Sequence, residues 1–390
     1  MTARGTSAAE TGSTTAGTGS TTAAVKQAGL AGQAGEAEQA GQAKNPAPGA
    51  ASQAKTGRFT ISRVAALVLV AALACVLAVA SVSLGSVSVP PRQIIQALTT
   101  ADANGYNHTV ISDMRIPRTI IAMLVGATLG VAGAVMQAVT RNPLADPFVL
   151  GVSSGAGFGI TAAVFFFGAD SPEQFTLMAI AGAVLAGLLV IFIGQGTRGQ
   201  SSPVRLVLAG MIGGTVMTTW TSIMVYSDDH TRETVRYIMI GGVGGRRLQD
   251  FPLAIGLAVA GMVICILMSR SIGMLALGED IAAAAGVHTA RTRLIASIVV
   301  VAMAGASVAI CGPIGFVGFA VPHLVRPLVR GSVEWGIVLS AFVGASMLTA
   351  ADILGRFALF PAELEASIVM GAIGAPFFIL IARQSSKVAS

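Results

Sequence analysis

Residues 117–139 read PRTIIAMLVGATLGVAGAVMQAV, and after Arg118 this stretch carries no charged side chain. A helix needs roughly 17 to 25 predominantly apolar residues to cross about 30 Å of hydrocarbon. Backbone polar groups find no water in lipid, and the chain lacks the alternating segments of a membrane barrel, so such runs must be helical. The sequence therefore predicts an all-α polytopic membrane protein of about ten transmembrane helices, placed at 62–84, 117–139, 148–168, 175–195, 204–226, 252–270, 292–311, 314–330, 335–354 and 364–382.

Composition supports the same class of protein. Of the 390 residues, 54% are hydrophobic and 11% are charged, whereas a soluble domain carries about 25% charged residues. The mean hydropathy is +0.77. The net charge of +6 comes mainly from arginines scattered between apolar runs, a distribution that fits membrane topology better than nucleic-acid binding.

The N-terminal part of the chain differs from the rest. Residues 1–57 consist largely of Ala, Gly, Thr, Ser and Gln, and such a segment cannot bury enough apolar surface to offset its ordering entropy. We therefore expect a disordered cytoplasmic tail over 1–57 and a transmembrane permease domain over 58–387. The run that begins at Ile61 is expected to be retained as an anchor. Lys and Arg are more numerous on the side of the N-terminus, so both termini are predicted to be cytoplasmic.

The chemistry-bearing residues exclude several classes of protein. No lysine occurs between Lys55 and Lys387, so the phosphate-binding loop G-x-x-x-x-G-K-[ST] is missing from the body of the chain. Three cysteines and four histidines form no C-x-x-C or H-E-x-x-H pattern. We therefore predict no enzyme activity, no cofactor and no metal site, and any ATP must be hydrolysed by another polypeptide.

Several long blocks resemble one family in their order along the chain. Residues 115–159 begin RIPRTIIAMLVGATLG, residues 277–326 begin LGEDIAAAAGVHTAR, and ADILGRF and GAIGAPFFI follow at 351–357 and 371–379. These blocks resemble the FecCD-type permeases of bacterial ABC importers for iron-siderophores, haem and cobalamin. The resemblance implies a multi-pass subunit of the bacterial cell membrane whose partners are a second permease copy, identical or paralogous, two ATPase subunits and an extracytoplasmic substrate-binding protein. Ferric siderophore is the expected cargo, with haem or cobalamin as alternatives.

Three arginines are expected at the outer mouth. Arg115 and Arg118 lie three residues apart and project from one helix face, and Arg356 closes the motif ADILGR. From the residues alone, they could equally extend toward lipid headgroups. The family resemblance implies that all three receive glutamates of the binding protein.

The segment 270–291 is expected on the cytoplasmic side. Two acids open an alanine-rich stretch that a glycine ends, a pattern typical of a short helix, although a solvated connector would look similar. The resemblance implies that this segment couples the permease to the ATPase and that its acids pair with basic residues of that partner. The coupling residues are Gly278, Glu279, Asp280, Ala284 and Gly286.

Glycines and prolines indicate where the chain turns and where it could form a gate. Two prolines after an asparagine predict a sharp inner corner, and we assign structural corners to Asn142, Pro143, Pro147, Pro313 and Pro322. Gly241, Gly242 and Gly244 could form an ordinary outer loop. The resemblance instead implies a short gating helix beside the fifth span, next to the central pathway.

An ion-coupled secondary transporter is the alternative from another class. Such a protein usually needs ionisable residues in mid-membrane. Asp113, Asp146 and Asp352 all fall near predicted helix ends, which disfavours this alternative.

Overall fold

A computed structural model describes residues 62–84, 110–194, 203–329, 331–359 and 362–388. The predicted tail and the boundary between 57 and 58 lie outside these residues. Within them, we number the α-helices in chain order as α1 (Arg63–Ser83), α2 (Ile116–Thr140), α3 (Val152–Phe167), α4 (Pro172–Gly194), α5 (Pro203–Ser227), α6 (Asp229–Met239), α7 (Pro252–Leu267), α8 (Ser269–Leu277), α9 (Glu279–Ala284), α10 (Thr289–Cys311), α11 (Val317–Val329), α12 (Val333–Ala358) and α13 (Ala366–Val388).

A helix occupies each of the ten predicted positions, which confirms the all-α membrane fold. Six of the described helices are long and apolar enough to cross a membrane, and the bent pair α7 and α8, at 58°, makes up to seven. Helices α3 and α11 are shorter apolar helices. At 1.5 Å per residue, the 16 residues of α3 extend about 24 Å. The count of about ten spans and their orientation remain predictions.

The core lies where α2, α10, α11 and α12 meet. Ile121, Ile310, Val317 and Leu348 are fully buried there. Helix α1 is different, because it exposes apolar side chains such as Val68 and Leu69. The central helices therefore form the buried core, and α1 packs at its periphery.

Glycines allow α2 and α12 to touch through their backbones. A Cβ atom placed on Gly126 would lie 2.3 Å from the carbonyl oxygen of Gly344, and one placed on Gly344 would lie 2.2 Å from the carbonyl oxygen of Gly126. Such small residues permit close helix packing where lipid supplies no hydrophobic drive.

Pro322 corrects one prediction, because it lies inside α11 rather than at a corner. Proline has no N–H, so the carbonyl four residues earlier loses its helical partner. That carbonyl belongs to Gly318, and the side-chain amide of Gln137 lies 3.4 Å from its oxygen as a donor. The helix continues past Pro322 because a neighbouring helix supplies the missing donor. Pro313 does lie in the break between α10 and α11.

Asn142, Pro143 and Pro147 lie in the non-helical connection between α2 and α3, as predicted. The side-chain oxygen of Asn142 accepts a hydrogen bond from the N–H of Leu144 at 3.0 Å, an arrangement typical of asparagine turns. The connection folds back into the protein at Asp146, which is 3% exposed. Its Oδ1 accepts the N–H of Phe148 at 3.1 Å, whereas Oδ2 has no partner.

Candidate functional site

Two arginines and two acids meet where α2, α12 and the connection after α12 come together. We call Arg118, Asp352, Arg356 and Glu363 the Asp352 cluster. Arg118 donates from Nε to both carboxylate oxygens of Asp352 at 3.1 Å, and from Nη2 to Oδ1 at 2.8 Å. Arg356 donates to Asp352 Oδ2 from Nε at 3.1 Å and also from Nη2. The carboxylate of Asp352 therefore neutralises part of the charge of two guanidinium groups.

The two arginines of the cluster differ in access to solvent. The side chain of Arg118 is 17% exposed, while those of Asp352 and Arg356 are 2% and 3% exposed. Arg118 also donates from Nη1 to Glu363 Oε2 at 2.7 Å, and Glu363 is 42% exposed. Arg118 is thus the arginine of the cluster that reaches toward the surface.

Arg356 and Arg115 share a second task at the end of α1. Arg356 donates from Nη1 to the carbonyl oxygens of Ser81 and Leu84 at 2.6 and 3.0 Å. Arg115, which is 8% exposed, donates to the carbonyl oxygens of Val82 and Ser83 at 2.9 and 3.2 Å. The last carbonyls of a helix have no partners within it, and cations are favourable at that end. The two guanidinium groups therefore cap the C-terminus of α1.

The predicted gating glycines lie against this cluster. Gly241, Gly242 and Gly244 follow α6, the short helix expected beside the fifth span. A Cβ atom on Gly244 would lie 3.7 Å from Cζ of Arg118, and one on Gly242 would lie 1.5 Å from a carboxylate oxygen of Glu365. Burial raises the pKa of Glu365. The structure thus places one predicted docking residue, Arg118, beside one predicted gating residue, Gly244.

The predicted coupling residues form a separate group. Helix α9 begins at Glu279 and ends before Gly286, whose φ is +79°. The N–H of Gly286 donates to the carbonyl of Ala283 and the N–H of Val287 to that of Ala282, both at 2.9 Å. This pattern is the Schellman motif, which favours glycine at the left-handed position. It confirms the predicted short helix with acids in its first turn and a glycine stop.

Glu279 is bonded within the chain. It accepts a hydrogen bond from Arg293 at the start of α10, and Arg141 at the end of α2 lies 3.9 Å away. The Arg293 hydrogen bond, followed by the charges of both arginines, lowers the pKa of Glu279. Asp280, Ala284 and Gly286 are exposed. Glu279 therefore ties α9 to the neighbouring helices, while Asp280 faces outward.

Sequence reasoning missed Asp352, Glu363 and Glu365 as partners of the docking and gating residues. Asp352 occurs in the same motif as Arg356, four residues earlier, and an i,i+4 pair on a helix is a detectable signal. Glu363 and Glu365 follow in a connection, where spacing carries no such information. Among the described residues, no group of three or more His, Cys, Asp or Glu could hold a metal ion.

Comparison with known proteins gives one consistent result. A model of the FecCD transport family matches residues 69–384. The ferric enterobactin transport system permease protein FepD of Escherichia coli is 35% identical, over 85% of this chain and 99% of the relative. The vitamin B12 import system permease protein BtuC of Salmonella typhi is 38% identical, over 70% and 83%. One solved structure, an inward-facing conformation of a transporter assigned to the metal-chelate ABC type, has a TM-score of 0.69 at 27% identity and covers 83% of this chain and 99% of its own.

Proposed function

This chain belongs to the FecCD transport family, and we propose that it is the membrane-spanning permease of a binding-protein-dependent ABC importer that carries a ferric siderophore into the cytoplasm. The observation that carries this proposal is the family match over nearly the whole membrane-spanning part. The missing phosphate-loop lysine agrees with it, because ATP must then be hydrolysed by separate subunits.

The complete importer would contain two permease copies, two ATPase subunits and an extracytoplasmic binding protein, in the cell membrane of a bacterium. The second permease is an identical copy or a paralogue. The cargo is tested with the cognate binding protein in a fluorescence-quenching titration against ferric siderophores, haemin and cobalamin. Saturable quenching by a ferric siderophore alone is the expected result. Quenching by haemin or cobalamin instead would assign the cargo to that alternative and leave the permease function in place.

Docking of the binding protein is assigned to the place where the start of α2, with Arg115 and Arg118, meets the end of α12, with Arg356. Arg118 is placed to meet a carboxylate of the partner, while Arg115 and Arg356 lie behind it and hold α1. Ion pairs at exposed positions are individually weak, so they would contribute orientation and association rate more than affinity.

The sharpest test of docking changes Arg118 alone. Charge reversal of all three arginines should abolish the ATPase activity that the binding protein stimulates, but it would also remove the caps of α1. Arg118→Glu in the reconstituted permease–ATPase complex should lower binding-protein affinity about tenfold or more, since it replaces attraction by like-charge repulsion. Arg63→Glu, at an exposed position at the start of α1 that is predicted to face the cytoplasm, is the matched control. Wild-type affinity in folded Arg118→Glu would contradict the docking assignment.

Coupling to the ATPase is assigned to the segment from Gly278 to Gly286. Its outward face offers Asp280 and small alanines to a groove of the partner, and Glu279 positions that face through Arg293. We expect the double change Glu279→Arg and Asp280→Arg to release the ATPase during detergent purification. Full co-purification of the ATPase with the variant would count against this role.

A further inference from the structure

The connection between α12 and α13 contacts both the docking arginine and the end of the gating helix. At one end, Glu363 accepts the 2.7 Å hydrogen bond from Nη1 of Arg118. Just beyond its other end, in the first turn of α13, Ser367 donates from its backbone N–H to the carbonyl of Gly241 at 3.1 Å, and from Oγ to the carbonyl of Ile240 at 2.9 Å. Only three residues therefore lie between the contact with Arg118 and the contacts that hold the C-terminal end of α6.

The two acids bound to Arg118 differ in how easily they can be replaced. Asp352 is buried and shared with Arg356, so removing it would leave two guanidinium groups without their buried counter-ion. Glu363 is 42% exposed, and within the described part of the chain its ion pair is with Arg118. An exposed ion pair contributes little free energy, because water competes for both partners. Another carboxylate can therefore displace Glu363 from Nη1 at small cost.

Glu365 extends the contact toward the gating glycines. Its carboxylate lies where a side chain on Gly242 would have to be, and a Cβ atom on Gly241 would lie 2.8 Å from Oγ of Ser367. Because Gly241 and Gly242 carry no side chains, the connection packs directly on their backbone. A displacement of the connection thus acts on the end of α6 through hydrogen bonds and hard contacts, which is the physical link that coupling between two sites requires.

We propose that Glu363 is an internal latch, which occupies on Arg118 the position that a carboxylate of an acidic partner surface takes on docking, and whose release loosens the hold of Ser367 on the end of α6. This inference rests on the proposed docking function and adds to it an intramolecular competitor and a route to the gate. The partner chemistry is a protein surface that presents a carboxylate to Nη1 of Arg118.

The test uses Glu363→Gln in the full permease–ATPase complex, reconstituted in nanodiscs with the cognate binding protein. Removing the competing charge should tighten binding about two- to fivefold, which corresponds to the free energy of one exposed pair. The amides of Ile240 to Val243 should exchange hydrogen faster than in wild type without binding protein. Glu233→Gln, an exposed acid on α6, is the matched control for the general loss of negative charge and should change neither quantity.

The outcomes separate the latch from the docking assignment. Unchanged or weaker binding by Glu363→Gln, with docking lost in Arg118→Glu, would overturn the latch and leave docking intact. Tighter binding with unchanged exchange at Ile240 to Val243 would overturn the route to the gate. Wild-type docking by Arg118→Glu would overturn both proposals. An equal gain of affinity in Glu233→Gln would also overturn the latch, since the effect would then reflect net charge.

Discussion

Asp352 is the residue on which two guanidinium groups converge. Its carboxylate is 2% exposed and accepts hydrogen bonds from Arg118 and Arg356. A buried carboxylate would be costly by itself, and so would either arginine. The arrangement stabilises the fold only while all members are present.

We predict that Asp352→Asn destabilises the detergent-solubilised protein by about 3 kcal/mol, the magnitude typical of removing one partner from a buried ion pair. Denaturation followed by tryptophan fluorescence would measure the loss. Glu363→Gln, which removes an exposed acid from the same cluster, should change stability by less than about 1 kcal/mol. Equal losses in the two variants would show that burial of Asp352 does not set its contribution.

The positions of these arginines could be predicted in part. The RIPR and ADILGR motifs located Arg115, Arg118 and Arg356 at helix ends, where the structure has them. The difference in burial among the three arginines could not be predicted, because Arg115 and Arg356 donate to main-chain carbonyls at the end of α1. Every residue carries a carbonyl, so such partners leave no signature in the sequence.

At the scale of the helices, α2 and α12 touch through their backbones. Gly126 and Gly344 place each backbone within contact distance of the other. A methyl group added at either glycine would collide with main-chain atoms of the facing helix. Main-chain atoms cannot rotate out of the way as the end of a flexible side chain can, so a helix would have to move.

Gly126→Ala should therefore lower the free energy of unfolding by about 1 to 3 kcal/mol, as overpacking does. Gly256→Ala in α7 is a matched control, because a Cβ atom there meets nothing within 4 Å, and alanine is the better helix former. Titration with a denaturing detergent would compare the two. A loss of stability in Gly256→Ala as large as that in Gly126→Ala would contradict the packing argument.

The ion pair between Glu279 of α9 and Arg293 of α10 depends on pH in a direction that follows from the pKa of Glu279. The pKa of Glu279 is lowered from its ordinary value of 4.5 by its bond to Arg293. Because the folded-state pKa is lowered, the stabilisation by this ion pair is fully present above the ordinary pKa of glutamate. It is lost as the pH falls through the folded-state pKa.

We predict that Glu279→Gln speeds hydrogen exchange of the α9 amides about two- to fivefold at neutral pH, the effect of one exposed ion pair. The ratio of exchange rates between variant and wild type should stay constant from about pH 8 to pH 6 and approach one as the pH falls through the lowered folded-state pKa of Glu279. Mass spectrometry of peptides covering α9 measures both rates. A ratio that stays constant into the acid range would argue against the ion pair.

The helices themselves were largely predictable, since long apolar runs in lipid have no alternative to helix. The residues at which the helices begin and end were less predictable. The helix predicted to begin at residue 148 begins at Val152. A buried turn with its own hydrogen bonds precedes it, and the sequence of such a turn is as apolar as that of a helix. Pro322 was misplaced for a related reason, as its compensating donor lies on another helix.

At the scale of the whole molecule, the orientation of the chain across the membrane is a prediction that can be tested directly. The excess of Lys and Arg on the N-terminal side predicts cytoplasmic termini. Green fluorescent protein fused after Ser390 should therefore fluoresce, and alkaline phosphatase fused after Ser227, at the end of α5, should be active. The exchanged fusions serve as controls and should be silent. The opposite pattern would invert the topology and move Arg118 to the cytoplasmic face.

The caps on α1 have a consequence for biogenesis. The carbonyls of Ser81 and Leu84 receive their donors from Arg356, which follows them by 275 and 272 residues. A ribosome has therefore made most of the chain before these carbonyls can meet that guanidinium group. Helix α1 is therefore made long before the residue that completes its cap, so we expect a chain truncated before residue 356 to leave the end of α1 without these contacts and open to the membrane's quality-control proteases.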